Sequence, residues 1–168
     1  FVFVCVPTPM NTDGSQNKKF IESVFEKSKK GPIYIIKSTI QPGTTKNIQS
    51  NYPDLDIIFS PEFLTERTAT FDFISQTRYV LGGKSENVSK VSDLYKDRFG
   101  KSVAALETDF ESAESIKYAC NNFFATKVAF LNEMRLISDK VGAKWDDVLE
   151  GFIRDGRVGH SHTQVPGP

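Results

Sequence analysis

The chain opens on an unbroken apolar run, Phe1-Val-Phe-Val-Cys-Val6, ended by Pro7-Thr8-Pro9. A run of β-branched and aromatic residues without polar alternation predicts a strand buried on both faces. Similar runs recur at 33–36, 56–59, 78–81 (closed by Gly82-Gly83) and 103–106. Between them the apolar positions switch to helical spacing, at 20–29, 86–99 and, more briefly, 69–73. Thr44 or Thr45 is placed to cap a further helix reaching about Tyr52. Strands alternating with helices of this length predict an α/β domain with a largely parallel sheet.

After Leu106 the pattern changes. Thr108 or Asp109 can cap a helix that meets no glycine or proline until Gly142. Its apolar positions, among them Phe110, Ala113, Phe124, Val128, Leu131 and Met134, fall near helical spacing. At ~1.5 Å per residue such a helix extends about 45 Å, longer than a compact α/β domain needs. It reads as a spine joining two domains or two subunits. A second helix at 146–153 and a loop rich in Arg, His and Gly complete the chain.

The charge balance narrows the partners. Twenty-one basic and twenty-one acidic residues leave no net field to favour nucleic acid or an anionic membrane. The apolar runs are far too short to span a bilayer. Only Cys5 and Cys120 are present; that usage fits a reducing cytoplasm, and both positions read as inert core thiols. The first residue lies inside a strand and the last three are Pro-Gly-Pro, so the sequence reads as a piece of a longer chain.

Candidate chemistry gathers where strands end. Ser60-Pro61-Glu62-Phe63-Leu64-Thr65-Glu66 follows the strand at 56–59 and sets two carboxylates four residues apart. Thr39 follows the strand at 33–36, the end at which open α/β sheets hold ligands. Lys117 and Asn121 lie one turn apart on the long helix. A lysine and an asparagine suit stabilisation of a developing oxyanion, and a Thr with a Glu can position a water. Ordinary alternatives stand beside these: a solvated loop for the glutamates, a helix-entry role for Thr39, and a Glu114–Lys117 ion pair. His160 and His162 have no further ligands around them to suggest a metal. No GxGxxG occurs.

These residues belong to an ordered set. Val6-Pro-Thr-Pro9, Lys37-Ser-Thr-Ile-Gln-Pro-Gly-Thr-Thr45 and Ser60–Glu66 are followed by Arg78-Tyr-Val-Leu-Gly-Gly83. Then come Glu114-x-x-Lys117-x-x-x-Asn121-x-Phe123-x-Ala125-x-Lys127 and Asp155-Gly-Arg-Val-Gly159. The set resembles the UDP-glucose/GDP-mannose dehydrogenase family over essentially the whole chain. The resemblance implies the second half of a Rossmann-like NAD-binding domain over 1–108. A truncated all-α dimerisation domain on the long helix follows over 109–168, similar to the C-terminal domain of 6-phosphogluconate dehydrogenase.

It also implies oxidation of a nucleotide sugar at C6, UDP-glucose foremost, with two NAD per turnover and a homodimer built on the long helix. Thr8 matches a residue contacting NAD. Thr39 matches the threonine that positions a water and touches the cofactor. Glu62, Phe63, Leu64 and Thr65 match the loop that binds the sugar nucleotide, and Glu66 the glutamate near the nicotinamide and the reacting carbon. Lys117 and Asn121 match the pair on the C6 oxygen, and Arg157 an arginine that reaches the neighbouring subunit's substrate.

Departures from the family pattern are Thr65, which is expected to be harmless, and Arg67, whose bulk is expected to reshape the loop or the cofactor pocket. The family's GxGxxG would precede Phe1 and its catalytic cysteine would follow Pro168, so these residues alone are expected to be inactive. Two other readings share the plan: a β-hydroxyacid dehydrogenase relative, and a non-catalytic dimerising module.

Overall fold

Five short strands build one sheet in chain order: β1 (Val2–Val4), β2 (Ile33–Ile36), β3 (Asp56–Phe59), β4 (Arg78–Gly83) and β5 (Ala104–Thr108). The structure is a computed structural model that describes residues 1–75 and 78–166, the side chain of Glu66 excepted. β1–β2, β2–β3 and β4–β5 pair in parallel, whereas β3–β4 is antiparallel. The sheet is therefore parallel with one reversal. Antiparallel neighbours are joined at one end, so the segment after Phe59 stays beyond the carboxyl end of β3 instead of crossing a face. That segment holds a 3-10 turn (Glu66–Thr68) and helix α3 (Ala69–Ser75).

Period-two alternation divides the core. Tyr34, Ile36, Ile57 and Phe59 pack on one side with Ile21 and Phe25 of α1 (Lys19–Glu26) and Ile48 of α2 (Thr44–Asn51). Ile33, Ile35, Ile58, Tyr79 and Leu81 pack on the other with Val88, Val91 and Tyr95 of α4 (Ser85–Phe99). β1 departs from its sequence pattern. Phe1 is 55% and Phe3 47% exposed, and only Val4 is buried. The strand has β2 as its one neighbour among the described residues, so one edge and part of one face stay uncovered.

The start of α2 also differs from expectation. Its cap is Gly43, at φ 88°, and Thr44 and Thr45 lie inside the first turn. The free N–H groups are met by Glu114 of α5 (Phe110–Val141). Its carboxylate accepts from Gly43 N at 2.5 Å, Thr45 N at 2.8 Å and Thr45 Oγ1 at 2.6 Å. Glu114 is fully buried. Burial pushes its pKa up, while the three donors pull against that shift.

Gly82 and Gly83 lie within β4 and do not form a turn. A Cβ on Gly82 would stand 2.6 Å from both Ala113 Cβ and the Asp109 carbonyl oxygen, so the missing side chain lets α5 begin against the strand. Asp109 caps α5, accepting from Ser112 N at 2.7 Å and Ser112 Oγ at 3.0 Å. The first turns of α5 belong to one compact unit, Phe1–Tyr118, and a second unit begins at Ala119. The second unit holds the rest of α5, α6 (Trp145–Ile153) and the loop after it. Leu131 and Trp145 are buried there, and the Phe130 and Phe152 rings meet at 6.1 Å.

Candidate active site

The segments leaving β1 and β2 are tied together first. Buried Ser38 donates from Oγ to the Val6 carbonyl at 2.7 Å. The Thr39 carbonyl accepts from Thr8 Oγ1 at 2.8 Å and from Gln16 Nε2 at 2.9 Å. Gln16 Oε1 in turn accepts from Gln41 N at 3.1 Å. Thr8 and Thr39 are thus brought together through a backbone carbonyl. Gln16 completes the clamp, although nothing in its polar loop marks it out.

The segment after β3 is held from three directions. Ser60 N donates to the Ile36 carbonyl at 2.9 Å, and its Oγ lies 3.4 Å from the Tyr95 hydroxyl. Burial raises the Tyr95 pKa. Pro61 has no N–H to give, but its carbonyl accepts from Lys37 Nζ at 3.0 Å. Glu62 uses both oxygens: Oε1 accepts from Lys117 Nζ at 2.8 Å and Oε2 from Leu64 N at 2.7 Å. The Lys117 side chain is 5% exposed against 31% for Glu62. Spacing along the helix offered Glu114 to Lys117; Glu114 is instead engaged at α2, and Glu62 takes its place. Two cations stand over the Phe63 ring, Arg78 at 4.9 Å and Lys117 at 5.5 Å.

Thr39, Glu62 and Leu64 line one cleft of ≈ 470 Å³, together with Lys37, Cys5 and Phe73. Lys37 entered the sequence reading only as the first residue of the Lys37–Thr45 motif, although a cation directly after an all-apolar strand was a usable sign. Its Nζ stands 5.7 Å over the Phe73 ring. Burial lowers its pKa to about 8, the Glu62 carboxylate opposes that shift, and Lys117 adds to it. Cys5 is exposed, so it is no core thiol.

Other expected residues stand apart from this cleft. Thr65 is exposed, and its N–H donates to Asp72 Oδ2 at 2.8 Å, the oxygen that also accepts from Thr68 Oγ1. Arg67 is exposed and is not among the residues lining the cleft. The Glu66 side chain lies outside the described residues.

In the second unit, Asn121 lines a pocket of ≈ 760 Å³ with Phe124, Val128, His160, His162 and Thr163. The two histidines that had no role in the sequence therefore share a wall with Asn121. Arg157 is paired with Asp155, Nε to Oδ1 at 2.9 Å, and its side chain is 89% exposed.

Comparison with known proteins places this geometry. The model of the UDP-glucose/GDP-mannose dehydrogenase family NAD binding domain matches residues 1–98, and that of the family's central domain matches residues 111–168. The chain belongs to the UDP-glucose/GDP-mannose dehydrogenase family. UDP-glucose 6-dehydrogenase of Rickettsia conorii is 35% identical over 169 residues, covering 95% of this chain and 39% of that protein. A UDP-glucose dehydrogenase from Pyrobaculum islandicum matches with a TM-score of 0.82 at 29% identity, over 96% of this chain and 40% of that one. A ternary complex of GDP-mannose dehydrogenase from Pseudomonas aeruginosa gives 0.80 at 28%, over 92% and 39%.

The chain thus spans about two fifths of the length of these relatives. Membership in this dehydrogenase family makes NAD the cofactor and the sheet a Rossmann-like one. No helix among the described residues is long and apolar enough to cross a membrane.

Proposed function

We propose that the chain supplies the nicotinamide-facing and sugar-facing walls of a nucleotide-sugar 6-dehydrogenase that oxidises UDP-glucose to UDP-glucuronate in two hydride transfers. The observation that carries this reading is the Glu62–Lys117 pair, whose carboxylate also lines the cleft beside Thr39. A nearly buried ammonium whose direction is fixed by one carboxylate oxygen is prepared to meet negative charge on a substrate oxygen. Asn121 is its companion donor on the C6 oxygen. Glu62, Phe63, Leu64 and Thr65 hold the sugar nucleotide, and Arg157 reaches the substrate of a neighbouring subunit.

The residues present suit the cofactor. Thr8 and Thr39 meet beyond the carboxyl ends of β1 and β2, where open α/β sheets hold dinucleotides. Val6, Leu64 and Phe73 give the adjoining cleft the apolar wall that a flat nicotinamide ring needs. Bound NAD supplies the hydride acceptor. Thr39 and Glu66 orient a water. Two copies pair through α5, and the reaction belongs to the cytoplasm.

Calorimetric titration of residues 1–168 with UDP-glucose, GDP-mannose and a UDP-N-acetylhexosamine tests the substrate. Binding that is strongest for UDP-glucose and is lost in Lys117→Met is expected; no binding of any nucleotide sugar overturns the reading. The 168 residues contain no GxGxxG and no cysteine in a Gly-Gly-x-Cys sequence. NADH formation by them is therefore not expected, and its appearance with UDP-glucose would refute that expectation.

A further inference from the structure

Lys127 lies on α5 three residues beyond Phe124 and six beyond Asn121. Its Nζ donates to the carbonyls of Val158 at 3.1 Å, Gly159 at 2.9 Å and Ser161 at 2.7 Å. An ammonium has three protons, so all of them are spent on one turn of backbone and none is left to bind a phosphate. The remaining carbonyl of that turn, His160, accepts from Thr163 Oγ1 at 3.0 Å.

The turn is not one the chain adopts freely. Gly159 has φ 71° and His162 has φ 58°; a side-chain-bearing residue in the left-handed region persists only where its surroundings hold it there. Two holds are visible. One is the Lys127 ammonium. The other is the His162 ring stacked on Phe124, with centroids 4.0 Å apart and planes 7° apart. Both holds come from one stretch of α5, because positions three apart share a helix face.

We propose that Lys127 is a positioning residue, a clasp that gathers the 158–161 turn and so sets His162 on Phe124 as a wall of the Asn121 pocket. The clasp follows from the hydrogen bonds alone. Only its consequence for substrate rests on the function proposed above.

NMR on residues 1–168, wild type beside Lys127→Met and Lys127→Arg, tests it. In the wild type the His162 ring protons are expected upfield of free histidine because of the Phe124 ring. In Lys127→Met that displacement collapses, and amide exchange at 159–162 quickens about tenfold or more, while exchange in α5 and α6 stays within about twofold. Lys127→Arg keeps the charge and is expected to retain most of the ring shift. Unchanged ring shifts and exchange in Lys127→Met overturn the proposal. So does a loss of protection through α5 and α6 together, which is the mark of a residue needed only for folding. A Lys127→Arg variant indistinguishable from Lys127→Met overturns the charge-donating clasp. In the same samples UDP-glucose is expected to bind about tenfold more weakly to Lys127→Met. A wild type that binds none defeats the substrate reading, and the clasp is then judged on shifts and exchange.

Discussion

Glu62 and Lys117 stand 55 positions apart and meet at 2.8 Å, but they do not depend on each other equally. Lys117→Met leaves a carboxylate that still accepts from Leu64 N and is partly open to water. Glu62→Ala leaves an ammonium that is almost wholly buried, with its anionic partner removed. Breaking a buried pair costs most on the side that strands a desolvated charge. Urea melts should therefore show Glu62→Ala losing about 2–4 kcal/mol and Lys117→Met under about 1 kcal/mol. Equal losses would mean that Lys117 is hydrated in solution. Lys37 gives a pH signature. Its pKa is held at about 8 against 10.5 for a free lysine, so between those values the unfolded chain binds more protons and stability rises with pH. Relative to Lys37→Met, wild type should gain melting temperature as pH climbs through 8 towards 10. A gap that stays constant over that window would rule Lys37 out as its source. Of this cluster, Glu62 and Lys117 were legible because charges beside apolar runs stand out. Lys37 carried the same sign without its partner, the Pro61 carbonyl, and Gln16 carried none, since its role depends on the Thr39 carbonyl.

The elements were legible in proportion to how local their causes are. The strands at 33–36 and 56–59 fall where the apolar runs put them, and Asp109 caps α5 as its position before the helix suggests. The cap of α2 was misassigned to a threonine because the acceptor that meets its N–H groups is Glu114, about seventy residues away. Gly82 looked like the close of the strand because its reason, the passage of Ala113 and Asp109, is equally remote. Glu114 therefore joins α2 to α5 in a way no window of sequence shows. Glu114→Ala strands two backbone N–H groups and the Thr45 hydroxyl in a buried place, a loss of about 2–4 kcal/mol. Glu114→Gln keeps an acceptor oxygen and should lose roughly half as much. Hydrogen exchange read at Thr45 and its neighbours should show α2 loosening before the sheet does. If both variants melt like wild type, the α2 N-terminus is satisfied by water.

The apolar pattern of the long helix has a remainder that its own units cover only in part. Phe123, Phe130 and Ile137 recur every seventh residue and Val141 follows one turn later, so they form one stripe along α5. Their exposures are 62%, 49%, 52% and 72%. The period alone could not say which apolar positions of this helix face its own core and which face a partner; the fold shows Ala113 and Leu131 sealed inside. An exposed stripe of this length suits a second copy of the same helix, since a two-fold pair brings identical surfaces together. Sedimentation at tens of micromolar should show a dimer for wild type. Ile137→Lys with Val141→Glu should sediment as a monomer with an unchanged circular dichroism spectrum, because exposed substitutions disturb stability by only about 0.5 kcal/mol. A wild type that stays monomeric at 100 µM, on the order of the concentration at which a weak interface still closes, would exclude α5 as a self-pairing surface. The exposed residues of β1 supply the control. Phe1 and Phe3 are also uncovered, so a dimer that survives the α5 pair but dissolves in Phe1→Ser with Phe3→Ser would move the interface to the sheet edge.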